Sequence, residues 1–189
     1  MIDSSAIIEA KKLVPLARQW EFFEGLTTLL RAGVIAFPAQ VRSELVAVKY
    51  PDAPGAWIAG HRGDLRHPQP GDALLTQVLG VAPKLVDVLS EDEAADPYVL
   101  AMALAIRERH AGVDVVVATS DYVDRLPLKS SLASACDLMD VEWMKPAEFF
   151  EWAWDEIEWR TAATEIDVEN EMPDEYDDAF AETSPGDPL

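Results

Sequence analysis

The chain has a single cysteine, Cys136, in 189 residues. That excludes an intrachain disulfide, and it excludes a zinc site built on thiolates. No stretch approaches the roughly 18 consecutive apolar residues of a membrane-spanning helix, so no membrane partner is expected. The opening Met1-Ile2-Asp3 lacks a basic segment followed by a long apolar one, and no secretory signal is expected from it. A cytoplasmic, reducing location fits these absences. Positive charge is scarce too: 15 Lys and Arg stand against 35 Asp and Glu, a formal net charge of −20. The imbalance is uneven. Residues 1–150 carry 14 basic and 21 acidic side chains, net −7, whereas residues 151–189 carry Arg160 alone against 14 acids, net −13. Charge alone therefore does not mark the chain as a nucleic-acid binder.

Apolar residues make up 49% of the chain, enough for one real core. Met1-Ile2 is the stub of a strand, and a helix follows from Ala6 through Lys12. The spacing of Trp20, Phe23, Leu26 and Leu30 predicts one buried stripe on a helix over 18–31, which Gly33 ends. Val34-Ile35-Ala36-Phe37 reads as a short buried strand. Pro38 then opens a helix burying Val41, Leu45 and Val48. Residues 50–70, rich in Pro and Gly, should hold a short helix around Trp57 and then a loop. A helix over 73–89, broken at Gly80 or Pro83, leads to the acidic Ser90-Glu91-Asp92-Glu93. A long apolar helix to His110, a strand over 113–118, a weak helix over 128–136 and a last strand, Val141-Glu142-Trp143-Met144, complete the alternation. Pro146 opens an aromatic helix with Phe149, Phe150, Trp152, Trp154 and Trp159, expected to pack on the domain over residues 146–160. Such alternation predicts an α/β fold, a mainly parallel sheet with helices on both faces. Residues 161–189 should form an acidic, disordered tail that solubilises the chain, mimics nucleic acid or binds a basic partner.

Four acids occupy positions that converge in such a fold: Asp3 after the first strand, Glu44 on the helix after the second, Asp96 at the start of the long helix and Asp121 past the strand over 113–118. Ligands of parallel sheets bind beyond the carboxyl ends of the strands. Singly, each acid has an ordinary reading. Asp3 would cap a helix, as would Asp96 beside Pro97. Asp121 would be a turn residue, and Glu44 an exposed helix residue. Together they would repel one another unless a cation joins them. Clustered carboxylates imply a hard ion, Mg²⁺ or Mn²⁺, able to activate water and steady a phosphodiester.

These motifs carry a resemblance. Asp3-Ser4-Ser5, Val41-Arg42-Ser43-Glu44-Leu45, Ala95-Asp96-Pro97 and Thr119-Ser120-Asp121 resemble, in order and approximate spacing, the four acidic motifs of the PIN-domain ribonucleases, including VapC-like toxins of bacterial toxin–antitoxin pairs. The similarity covers about residues 1–150. It is greatest to a variant with a long insertion between Glu44 and Asp96 and a Pro-then-Cys segment, here Pro127 and Cys136. Ser4 stands where the family usually has Thr. The resemblance implies a PIN-like three-layer sandwich and a metal-dependent endoribonuclease, the toxin of a type II pair, with RNA as substrate and an antitoxin as partner. It implies that Asp3, Glu44, Asp96 and Asp121 hold the ion, and that Ser5 or Thr119 bonds a ligand carboxylate or a phosphate oxygen. Asp124 would be a substitute or supporting acid. The rival expectation is a PIN-like fold kept as a catalytically inactive protein-interaction module.

Other residues have quieter readings. His61, Arg62, Arg66 and His67 form a small basic cluster read as a solvated loop in preference to an RNA phosphate contact, a role also open to Lys129. Trp143, Trp152, Trp154 and Trp159 are read as core or homodimer packing in preference to base stacking. His110 would face a helix C-terminus, and Cys136 would be a small buried hydrophobe.

Overall fold

The computed structural model describes residues 1–46, 52–61, 67, 69–87 and 94–171, with side chains described up to residue 162. Two compact units emerge, residues 1–157 and 158–189. The first is a mixed α/β arrangement, mostly helical, around a small parallel sheet of two strands. Its helices are α1 (Ser4–Leu13), α2 (Gln19–Ala32), α3 (Ala39–Val46), α4 (Ala53–Gly60), α5 (Asp72–Val81), α6 (Asp96–Arg109) and α7 (Leu132–Leu138). The strands are β1 (Val116–Ala118) and β2 (Glu142–Met144), and α8 (Pro146–Glu171) begins in the first unit and ends in the second. Among the described residues no helix is long and apolar enough to cross a membrane.

The expected sheet is smaller than its sequence pattern. β1 and β2 pair in parallel, Val116 with Glu142 and Ala118 with Met144. Residues 113–115 lie outside the strand; Val113 is exposed, and its amide donates to His110 O at 3.1 Å. The first strand is one bridge, Ile2 with Ala118, on the other side of β1. It is nonetheless anchored on both sides. The Asp3 amide donates to Ala118 O at 3.0 Å, that of Ala118 to Met1 O at 2.8 Å, and that of Ile2 to Ala36 O at 2.9 Å. Val34-Ile35-Ala36-Phe37 is thus not a strand: Val34 and Ile35 form a bend whose amides donate to Leu29 O, Ala36 O meets the Ile2 amide, and Ile35, Ala36 and Phe37 are buried.

α6 is the central helix. Its residues from Asp96 to Leu104 are buried, Tyr98 excepted, so apolar groups surround it instead of forming one stripe. The stripe on α2 differs from the expected one: Phe22, Phe23, Leu26, Leu29 and Leu30 face the core, while Trp20 is exposed. Gly33 closes α2 with φ 77°, the left-handed conformation in which glycine carries no Cβ penalty. The helix over 73–89 ends earlier, at Val81, and Pro83–Leu85 form a 3-10 turn. α7 begins at Leu132 instead of 128, because Ser131 caps it, its side chain accepting from Ser134 N. Of the three residues expected inside α3, Val41 and Leu45 are buried; Val48 lies outside the described residues. So do the acidic segment 90–93, Arg62, Arg66 and residues 172–189.

α8 contributes Phe149, Phe150 and Ala153 to the core. Phe22 meets Phe150 edge-on at 5.0 Å and Trp154 at 5.2 Å, and the Arg18 guanidinium lies 4.1 Å over Trp154. Trp154 is thus a packing residue, while Trp152 and Trp159 keep large exposed faces. Gly25 of α2 lets α8 approach: a Cβ there would stand 2.3 Å from Ile157 Cδ1 and 3.0 Å from its Cγ2. Gly25→Ala should therefore lower stability by about 1–3 kcal/mol, overpacking outweighing the helix propensity gained. Thermal denaturation checks it; a melting temperature at or above wild type would mean that Ile157 yields freely.

Of two sequence readings of polar residues, that of His61 changes and that of Cys136 holds. His61 is buried, not solvated: it ends α4, packs 5.1 Å from Trp57 and lies 3.0 Å from Thr27 Oγ1. Cys136 is wholly buried, and burial first, then the negative charge of Asp137, pushes its thiol up to about 12.

Candidate functional site

Asp3 is the best-held member of the site. It caps α1, with Oδ1 accepting from Ser4 N at 2.7 Å. Oδ2 accepts from Ser5 Oγ at 2.5 Å and Thr119 Oγ1 at 3.0 Å. The residue is 1% exposed. Ser5 and Thr119 therefore orient a carboxylate, and each is itself held: Ser120 N donates to Ser5 Oγ at 2.9 Å, and Asp121 N donates to Thr119 Oγ1 at 3.0 Å. Sequence order hides this network, since Ser5 and Thr119 are 114 positions apart. The parallel bridge of Ile2 to Ala118 brings them together.

Glu44 reaches the site from α3. Its Oε2 accepts from Ser4 Oγ at 2.5 Å, and its Oε1 accepts from Ala95 N at 2.8 Å. Glu44 thus ties the start of α6 to the start of α1. Asp96 departs from the cap expected of it. Ala95 is the capping residue, Asp96 is the first residue of α6, and its carboxylate points to Lys129 Nζ at 2.6 Å. The same ammonium lies 3.0 Å from Asp121 Oδ2, which also accepts from Leu132 N at 3.3 Å. Asp3, Glu44, Asp96 and Asp121 converge on one open cavity of about 360 Å³, lined also by Ser4, Ser5, Arg125 and Lys129.

The electrostatics follow from crowding. Burial first, and the Asp3 charge second, raise the Asp96 carboxyl to about 6, despite Lys129 pulling the other way. Burial disfavours the Lys129 ammonium, but Asp96 and Asp121 outweigh it and its pKa is raised. The cavity remains short of positive charge, and its donors are hard oxygens, so its chemistry suits a divalent ion. Its spacing is a separate matter: among the described residues, no three His, Cys, Asp or Glu side chains are grouped tightly enough to hold one ion as they stand.

Lys129 is the residue that sequence reasoning misjudged. Apart from Arg42, the acids have no cation in their own motifs, yet a loop supplies one. Arg125 N donates to Lys129 O at 2.9 Å, and Asp124 Oδ1 accepts from Ser131 N at 2.7 Å and Ser131 Oγ at 2.8 Å, closing the loop at its base. These bonds from Ser131 hold the Asp124 carboxyl below its ordinary value. Asp124 is therefore a loop clasp and does not line the cavity, so it is no substitute for Asp121. The available signal was compositional: Lys129 is the only basic residue between Arg125 and Lys145. Ser4, a conservative replacement in sequence terms, joins Asp3 and Glu44 through its hydroxyl.

A family model for a domain of unknown function, DUF4411, matches residues 1–156. The chain belongs to the DUF4411 family. No curated protein and no solved structure matches it. The DUF4411 match takes in all four acids, Lys129 and the strands that place them, and stops where α8 leaves the first unit.

Proposed function

We propose that this DUF4411 chain is a metal-dependent endoribonuclease with a PIN-like three-layer architecture, the toxin of a type II toxin–antitoxin pair. The observation that carries the reading is the convergence of Asp3, Glu44, Asp96 and Asp121, from four separate segments, on one cavity. In this proposal the four carboxylates hold Mg²⁺ or Mn²⁺, which when bound lowers the pKa of water and offsets charge on the phosphodiester. Ser5 and Thr119 fix the Asp3 carboxylate. Lys129 turns from Asp96 and Asp121 to a phosphate oxygen of the RNA, and Arg125 at the cavity edge adds a second cation. The chain acts in the cytoplasm, and a cognate antitoxin restrains it. Trp152, exposed on α8, supports a homodimer surface.

One observation favours a second reading, an inactive interaction module: Lys129 already neutralises two of the acids. A single experiment separates them. Protein stripped with EDTA is given Mg²⁺ or Mn²⁺, ion binding is measured by calorimetry, and mixed single-stranded RNA is added. The nuclease reading expects saturable ion binding and ion-dependent cleavage. Absence of both leaves the interaction module standing.

A further inference from the structure

One aromatic pair is unlike the packing aromatics of α2 and α8. Tyr122 directly follows Asp121, and Trp143 precedes Met144, whose carbonyl accepts from Thr119 N at 3.1 Å. Both residues therefore lie near the carboxyl ends of β1 and β2, although neither ring lines the acidic cavity. Their planes are 13° from parallel with centroids 6.4 Å apart. Trp143 is braced: it packs partly against the core, and its Nε1–H donates to Asp137 Oδ1 at 2.9 Å. Tyr122 is 47% exposed, and Lys145 Nζ lies 5.4 Å from its ring centroid. The result is a stacked pair of rings, partly open to solvent, with an ammonium over Tyr122, the residue that follows Asp121 in the chain.

We infer that Tyr122, Trp143 and Lys145 form a binding platform for an unpaired nucleobase of single-stranded RNA, the base stacking on the rings and Lys145 meeting its phosphate. Every base presents a π-face, so such a platform tolerates sequence but requires an unpaired strand. A lysine point charge suits a phosphate without specifying the base. In a molecule of net charge −20 an exposed cation on an aromatic ring is a feature that a polyanion would use. The site deepens the nuclease reading, on which its placement beside the cleavage cavity rests: the chain selects unpaired RNA and sets its register through the nucleotide next to the scissile phosphate.

The test is fluorescence anisotropy in EDTA, so that no cleavage intervenes, with a labelled single-stranded RNA, its duplex and an abasic strand of equal length. Wild type should bind the single strand best. Tyr122→Ala should weaken that binding about tenfold, and Tyr122→Phe, which keeps the ring, should restore it. On the abasic strand wild type and Tyr122→Ala should be equal. Lys145→Gln should weaken intact and abasic strands alike and reduce the salt slope by about 0.7. The platform is overturned if wild type does not bind the single strand, if Tyr122→Ala binds it like wild type, or if Tyr122→Ala loses as much on the abasic strand. Binding through Tyr122 without cleavage in Mg²⁺ or Mn²⁺ would uphold the platform and refute the nuclease. Cleavage unchanged in Tyr122→Ala, with unchanged affinity, would do the reverse.

Discussion

Asp96→Asn is expected to lower ion-dependent RNA cleavage by about 100-fold or more while making the metal-free protein more stable at pH 8. The two effects have one cause. The Asp96 carboxyl is buried beside Asp3, and its pKa rises from 3.8 to about 6. A carboxyl whose folded pKa is raised binds its proton more tightly in the folded state, so ionisation works against folding. The penalty is absent below about pH 4, grows between 3.8 and 6, and is complete above 6. At one pKa unit per 1.36 kcal/mol, its ceiling is about 3 kcal/mol. Asparagine keeps the shape and removes the charge. Melting curves of wild type and Asp96→Asn in EDTA should differ by roughly 5–10 °C at pH 8 and converge near pH 4. A variant less stable than wild type at pH 8 would mean that the bond to Lys129 outweighs the crowding. Full cleavage activity in the variant would remove Asp96 from the site altogether.

Lys129→Met should act in the opposite sense. The ammonium lies between Asp96 and Asp121, and the three side chains are only 14%, 12% and 20% exposed. Removing it leaves two neighbouring carboxylates unpaired, a change that costs about 3–5 kcal/mol when an ion pair is largely buried. The metal-free variant should melt well below wild type. Millimolar Mn²⁺ should recover most of that loss, and should stabilise the variant more than wild type, because an ion that binds only the folded state adds RT ln(1 + [L]/Kd). Cleavage should nevertheless fall about 100-fold, since the cation proposed for the RNA phosphate is gone. Loss of stability without recovery in Mn²⁺ would show that Lys129 is the resident cation of an ion-free module.

Local order was legible in the sequence wherever a side chain acts on its own neighbours. Gly33 ends α2 because φ 77° suits glycine, Asp3 caps α1 through two adjacent amides, and Pro146 opens α8. The apolar run of α6 and the burial of Cys136 follow from composition alone. Strand length was harder to read. A run such as 113–118 is apolar but for Asp114, yet only Val116–Ala118 pair with β2, and pairing depends on how far β2 extends. The face of α2 was misread at Trp20 for a related reason. A stripe of period 3.6 admits two neighbouring phases, and Phe22 rather than Trp20 is chosen by Phe150 and Trp154 of α8.

The sequence by itself determined which acids were available, and that Asp3, Asp96 and Asp121 follow strand ends or open a helix while Glu44 lies within one. Only the tertiary structure decided what each carboxylate touches. Asp3 is locked by Ser5 and Thr119, Glu44 joins α1 to α6, and Asp96 turns from capping its helix to an ion pair. Lys129 decides the charge of the whole site, and nothing near Asp96 in the chain foretells it, because Coulomb attraction follows distance in space and those residues are 33 positions apart. The same holds for Tyr122 and Trp143. Each is an ordinary aromatic residue in its own segment, and the parallel pairing of β1 with β2 helps bring the two rings together as a stacked pair.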